Sequence, residues 1–229
     1  MTPIRALFSV FLDALFPIPP AETAVLSLSP QEALKSLPRA KQFPTAEACS
    51  VFAYKDERVR RLVWALKYKK SMKAARISGF AIWRQLALFS MAAPTDRPIF
   101  VIPMPVTDKR RRERGYNQCE LLADAVERFE AERISASDMI SADPRIMIVR
   151  DLLIRARHKS RQTLKGREER LESAKGIFAV NEKAAEQAMK EGLVIVIDDV
   201  VTTGSTMRDA VETMRRAGYI NTFGLSIAH

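Results

Sequence analysis

The chain has 229 residues, 47% of them hydrophobic, and carries 37 Lys and Arg against 27 Asp and Glu, a net charge of +10. That length suits one domain with an appendage or two small ones, and the apolar content is enough for a real core. No run reaches the roughly 20 apolar residues of a membrane span. Two cysteines, Cys49 and Cys119, cannot build a disulfide framework or a four-thiolate zinc site, and two histidines, His158 and His229, argue against a histidine-based metal centre. Free thiols in a reducing cytoplasm are the expectation. The basic excess points to an anionic partner (a phosphorylated metabolite, nucleic acid or an acidic membrane surface) or to an ordinary solvated basic face.

In chain order, LFSVFLDALF near the start is interrupted by Asp13 and ended by Pro17, Pro19 and Pro20, which reads as a structural amphipathic helix at about 3–15 rather than a signal peptide. A short helix is expected at 30–37, with Ser29 as cap and Pro30 in the first turn. Val59, Leu62, Val63 and Leu66 recur at i, i+3, i+4 and i+7, the signature of an amphipathic helix, and a second helix should cover about 73–90. Turn formers at 91–98 mark a boundary between a mainly helical region, 1–95, and a second domain, 96–229.

Beyond the boundary the pattern alternates. A buried strand (98–106), a basic loop (TDKRRRERGYNQ), a helix (118–133), a strand (145–155), a long polar segment, a strand (177–180) and a helix or turn (182–191) lead to LVIVIDDV, 193–200, the clearest strand of all. A helix at 205–217 and a strand, TFGLSIA, complete the chain. This alternation predicts an α/β fold with a mostly parallel sheet flanked by helices.

The stretch VIVIDDVVTTGST, 194–206, concentrates the chemistry. Ligands of such sheets bind beyond the carboxyl ends of the strands, where Asp198 and Asp199 fall. Carboxylates only accept hydrogen bonds, so neighbouring sugar hydroxyls suit them. Thr202, Thr203, Gly204, Ser205 and Thr206 offer a close backbone approach, exposed N–H groups, hydroxyls and the positive end of a helix, which together suit a phosphate monoester. An Asp-capped helix with a tight turn is the bland alternative. No Lys follows Gly204, so the run is not a P-loop.

The same run resembles the phosphoribosyl pyrophosphate (PRPP) signature of type I phosphoribosyltransferases. ALKYKKS (65–71), IPMPVTDKRRRERGYNQCELLA (102–123), LIRARHKSRQTLKGREER (153–170) and GIF (176–178) narrow the likeness to the competence-associated ComF family, over about residue 52 to the C-terminus, with LDALFP similar to the family's start. Paired cysteines common near that start are replaced by PIPPAET and LSPQEAL, so no zinc is expected. Lys159 stands where a threonine is common and Ser173 where an asparagine is.

The resemblance implies a type I phosphoribosyltransferase-like fold, with Asp198, Asp199 and Arg157 in the reaction and Asp198, Asp199 and residues 202–206 on PRPP. Pyrophosphate would need cations, offered by Lys109, Arg110, Arg111, Arg112 and Arg114, and by Arg155, Arg157, Lys159, Arg161, Lys165 and Arg167 in a segment placed like a closing loop. Arg110, Arg114 and Arg157 match the family pattern in position. Gly115, Asn117 and Gln118 sit at an expected helix start. Mg²⁺ is implied, held by substrate oxygens and water rather than directly by the protein. Two readings follow. One is a transferase moving phosphoribosyl to an unknown acceptor under a hood formed by residues 1–95. The other is a non-catalytic PRPP sensor or an accessory to single-stranded DNA. Aromatics are 7% of the chain and no stacking platform is read among the basic runs.

Overall fold

The computed structural model describes residues 19–41, 47–92, 98–136, 145–156, 176–185 and 187–229. The helix expected at about 3–15 lies outside them, as does the basic segment from Arg157 to Ser173.

Two short helices come first, α1 (Pro20–Ser27) and α2 (Pro30–Ser36). Ser29 and Glu32 form a reciprocal capping box at the start of α2, as the Ser-Pro pair predicts. Strand β1 (Ala48–Phe52) follows, then α3 (Glu57–Tyr68) and α4 (Met72–Ala92). Asp56 caps α3 by accepting from the amides of Arg58 and Val59. Val59, Leu62, Val63 and Leu66 are buried, so the helical spacing read from the sequence is the face that packs.

Beyond α4 come β2 (Ile99–Pro103), α5 (Asp108–Arg114), α6 (Gln118–Ala136) and β3 (Ile146–Ile148). A hairpin of β4 (Leu153–Arg155) and β5 (Phe178–Val180) leads, through a 3₁₀ turn at Glu182–Ala184 and α7 (Gln187–Glu191), to β6 (Leu193–Val200). Helix α8 (Ser205–Arg216) and β7 (Thr222–Ala228) complete the fold.

Five strands form one parallel sheet in the order β1-β7-β6-β2-β3. The architecture is the expected α/β layer, with three local corrections. The basic stretch after β2 is a helix rather than a loop, because Thr107 caps it by accepting from the Arg110 amide and Gly115, at φ 76°, ends it in the left-handed conformation. The apolar run 145–155 is two strands, split near Asp151 at φ 63°, and its second half pairs antiparallel with β5 outside the main sheet. Strand β1 comes from the N-terminal side of the expected boundary and joins the sheet's edge, pairing with β7 through a 2.6 Å contact between the hydroxyls of Ser50 and Ser226.

Two cores line the two faces. Ile195 and Ile197 point toward α1 to α4, while Val194 and Val196 point toward α8 and the hairpin. Gly176 lies so close to Asp209 of α8 that a side chain there would collide with its carboxylate, and the Ile177 amide donates to that carboxylate at 2.9 Å. The hairpin is thereby docked on α8.

The R-G-Y-N-Q stretch is a structural joint. Arg114 donates to Gln118 at 2.9 Å, Gly115 turns the chain, and Asn117 caps α6 through the Cys119 amide while donating to the Met104 carbonyl. Tyr116 donates its hydroxyl to the Leu66 carbonyl at 2.7 Å and accepts from the Lys70 amide at 3.0 Å, closing the end of α3. Tyr116→Phe leaves both backbone groups without that partner, so it should lower unfolding free energy by about 1–3 kcal/mol while keeping the far-ultraviolet spectrum, as measured by urea titration.

Candidate functional site

The sheet reverses its winding between β2 and β6. The chain moves outward from β2 to β3, then returns to place β6 on the other side of β2. Helix α6, after β2, packs on α4, whereas α8, after β6, packs on the opposite face with the hairpin. The loops therefore part at the strands' carboxyl ends, which is where open α/β sheets bind ligands. A cleft of about 540 Å³ lies there, lined by Asp198, Asp199, residues 200–207, Thr107, Arg110, Arg114, Arg155, Tyr54, Lys67 and Tyr68.

The paired acids are the last polar residues of β6 and follow the period-two rule. Asp199 shares the face of Ile195 and Ile197, is 3% exposed, and accepts an ion pair from Lys67 of α3 at 3.2 Å. Its second oxygen, Oδ2, has no hydrogen-bond partner among the described residues. Asp198 shares the other face, where Oδ1 accepts from the Asp199 amide at 2.8 Å and from the Cys119 thiol at 3.3 Å. Burial, then the charge of Asp199, push the Asp198 carboxyl up to about 7. Asp198 keeps a partly open edge, so solvent screening moderates that rise without changing its direction. The buried Cys119 thiol is raised well above its ordinary range, first by burial and then by the two acids, which keeps it a protonated donor.

After Val201 the chain turns through Gly204 at φ 79°, a conformation that favours glycine, and enters α8. Gly204, at the cap position, has no side chain to close the helix; the Ser205 amide makes only a long 3.5 Å bond to the Thr203 hydroxyl, which leaves the helix start accessible to a ligand. Thr202, Thr203, Ser205 and Thr206 are exposed around the turn, with the Thr203 and Ser205 hydroxyls 3.1 Å apart.

Of the basic candidates, Arg110, Arg114 and Arg155 reach the cleft. Arg155 donates to the Pro105 carbonyl at 3.1 Å and stacks over Phe178; burial, then repulsion from Arg110, pull its pKa below the usual guanidinium range. Arg114 lies 5.1 Å over the Tyr68 ring. Arg111 instead pairs with Glu120 at 2.8 Å and Lys109 with Glu113 at 3.8 Å. Arg157 and Lys159 lie outside the described residues. The expected anion site at Gly115, Asn117 and Gln118 is changed in role, since Asn117 itself takes the Cys119 amide at the start of α6. Sequence reasoning missed Lys67, Tyr54 and Tyr68. The LKY of ALKYKKS was the available signal, but nothing local to it says that Lys67 meets a carboxylate 132 positions away.

No family model matches the chain. Among curated proteins it is 23% identical to Competence protein F of Haemophilus influenzae over 190 residues, 82% of this chain and 76% of that one. It is 30% identical to Competence protein ComFC of Bacillus subtilis over 131 residues, 57% of this chain and 43% of that longer protein. Together they support a ComF-family assignment. The LKY helix, the R-G-Y-N-Q joint and the strand ending in Asp198 and Asp199 are three pieces that meet at the cleft.

The Asp198 shift makes a signed prediction. Ionising this carboxyl costs more in the folded protein than in the unfolded chain, so the wild type gains stability as pH falls through the neutral range. Asp198→Asn should be the more stable protein at about pH 8.5, and its advantage should shrink toward about pH 6, as read by melting temperature across a pH series. A gap that is constant with pH would contradict the shift.

Proposed function

We propose that the cleft binds PRPP and that the protein transfers its phosphoribosyl group to an acceptor. The observation that carries this reading is the pair Asp198 and Asp199 lining the cleft one loop away from the start of α8, with an Asp199 Oδ2 that has no donor among the described residues. A ribose hydroxyl supplies the missing donor, and a 5-phosphate suits the free amides and hydroxyls at 202–206. Lys67 orients Asp199, while Asp198 presents its oxygens from the other face of β6.

Pyrophosphate on C1 would lie toward Arg110, Arg114 and Arg155, whose guanidinium groups converge on the cleft closely enough for Arg110 to repel Arg155. In the transfer, the C1–O bond to pyrophosphate breaks and the pair of electrons leaves with it. The acceptor's nucleophilic atom bonds C1, and the acceptor's proton is released. Asp198, with its carboxyl raised toward neutrality, is the group in the cleft best matched to hold that proton. Positive charge developing on the sugar is stabilised by the two acids.

Among the described residues, no three His, Cys, Asp or Glu side chains gather as a metal cage. Two carboxylates at the cleft would suit a hard cation carried by substrate oxygens and water rather than by a protein cage. Magnesium bound there would offset the charge of the departing pyrophosphate.

The competence proteins named above also support a competence-associated role for this chain. A second reading, in which PRPP binding serves as a signal or accompanies single-stranded DNA handling without turnover, draws on the net charge of +10. Among the described residues no helix is long and apolar enough to cross a membrane.

The experiment is a calorimetric titration of PRPP with Mg²⁺, followed by pyrophosphate release over a panel of acceptors. Binding is expected in the wild type, lost in Ser205→Tyr, and weakened about tenfold to a hundredfold in Asp199→Asn. Absence of PRPP binding sinks the whole reading, whereas binding with no release for any acceptor leaves only the non-catalytic one.

A further inference from the structure

A second groove opens from the same cleft. It runs along the outward face of α3, has a volume of about 360 Å³, and is lined by Tyr54, Glu57, Arg60, Arg61, Trp64 and Tyr68, with Lys67 at its inner end. Tyr54, Lys67 and Tyr68 also line the cleft, so the two spaces share a wall. The helical period explains the composition. Val59, Leu62, Val63 and Leu66 take the buried face of α3, leaving Arg60, Trp64 and Tyr68 on the outside at spacings of four.

Two large rings are left in water at a cost that packing does not explain. Trp64 is 40% exposed and Tyr68 59% exposed, with their centroids 5.8 Å apart and planes tilted by 45°. Lys69 lies over Trp64 at 4.9 Å and Arg114 over Tyr68 at 5.1 Å, so each ring already has a cation beside it. Arg60 and Arg61 stand on the same ridge. Arg60 donates to the Lys55 carbonyl at 2.6 Å, and Arg61 forms a long ion pair with Glu57, at 3.7 Å, the one acid among the groove's lining residues. Aromatic faces interleaved with cations are what a planar base and its phosphate require.

We propose that this groove holds the second substrate, a planar heteroaromatic ring bearing a phosphate, of the size of one nucleotide. The ring lies against Trp64 and Tyr68 and the phosphate against Arg60 and Arg61. The volume suits a single nucleotide rather than a length of strand. Tyr68, on the shared wall, places the ring next to the cleft where the sugar of PRPP is assigned, so the role as second substrate rests on the transferase reading above. The same chemistry is offered by a free mononucleotide and by the terminal nucleotide of a strand.

The test uses the full chain and its own fluorescence. Trp64 and Trp83 are the two tryptophans, and Trp83 is half-buried with its indole N–H held by Glu130. A nucleoside 5′-monophosphate (AMP and CMP as probes) should quench emission saturably, and the matching nucleoside should bind about tenfold more weakly. By calorimetry, Trp64→Ala should weaken monophosphate binding by about tenfold, and Arg61→Ala should erase the difference between nucleotide and nucleoside. Circular dichroism melts confirm that both variants fold.

A 5′-phosphorylated oligonucleotide separates the sources. Affinity equal to that of the mononucleotide assigns a strand terminus to the groove, and no binding assigns the free nucleotide. Affinity that climbs with every added nucleotide overturns a one-nucleotide site. So does a wild-type protein that binds PRPP but neither AMP nor CMP, or variants that bind them as tightly as the wild type. Loss of both PRPP and nucleotide binding in the wild type instead removes the transferase reading on which the second-substrate role depends.

Discussion

Two like charges at adjacent positions of one buried strand set the terms for the rest of this molecule. Asp198 and Asp199 face each other across a single peptide unit, and burial, then the charge of Asp199, raises the cost of ionising Asp198. Strand alternation relieves part of that cost by sending the two side chains to opposite faces of the sheet. On one face Lys67 supplies a cation to Asp199 at 3.2 Å; on the other, Asp198 receives an amide and a thiol and keeps a raised pKa. Asp198 therefore stands near the point of titration at neutral pH, beside a carboxylate that is ion-paired with a lysine.

Lys67 makes the N-terminal half of the chain part of the cleft. It is presented from the last turn of α3, whose end is held by the Tyr116 hydroxyl between Leu66 and Lys70. Tyr116 in turn belongs to the joint that caps α6 and binds the end of β2 through Asn117. The acids, Lys67 and the basic helix α5 are thus tied to one another by side-chain-to-backbone hydrogen bonds. Strand β1, entering the sheet beside β7, adds a further tie between the same halves.

The cleft's chemistry is graded along its length. At the start of α8, free amides and hydroxyls surround a left-handed glycine. Beside β2 and the hairpin, guanidinium groups crowd close enough that burial and Arg110 depress the pKa of Arg155. Between them lie the two acids. This ordering, a donor cradle, then carboxylates, then cations, would suit the ligand proposed above, with a monoester at one end, hydroxyls in the middle and a more highly charged group beyond. The α3 groove leaves this line sideways, past Tyr68.

Local patterning determined a great deal. The amphipathic spacing of α3, the Ser29 cap, the boundaries of LVIVIDDV as β6 and the turn at Gly204 all depend on residues within a few positions of one another, and each is present in the structure as the sequence implies. What the sequence left open depends on distance. Whether an apolar run of eleven residues is one strand or two, split near Asp151, is decided by which neighbour each half finds, and ACSVF became a strand only because β7 had a free edge. Lys67 and Asp199 are far apart in the chain, and the exposure of Trp64 and Tyr68 follows from what packs against the other side of α3. Such contacts are set by the tertiary arrangement, because a side chain's charge partner and solvent access are properties of the surrounding fold rather than of its neighbours in sequence.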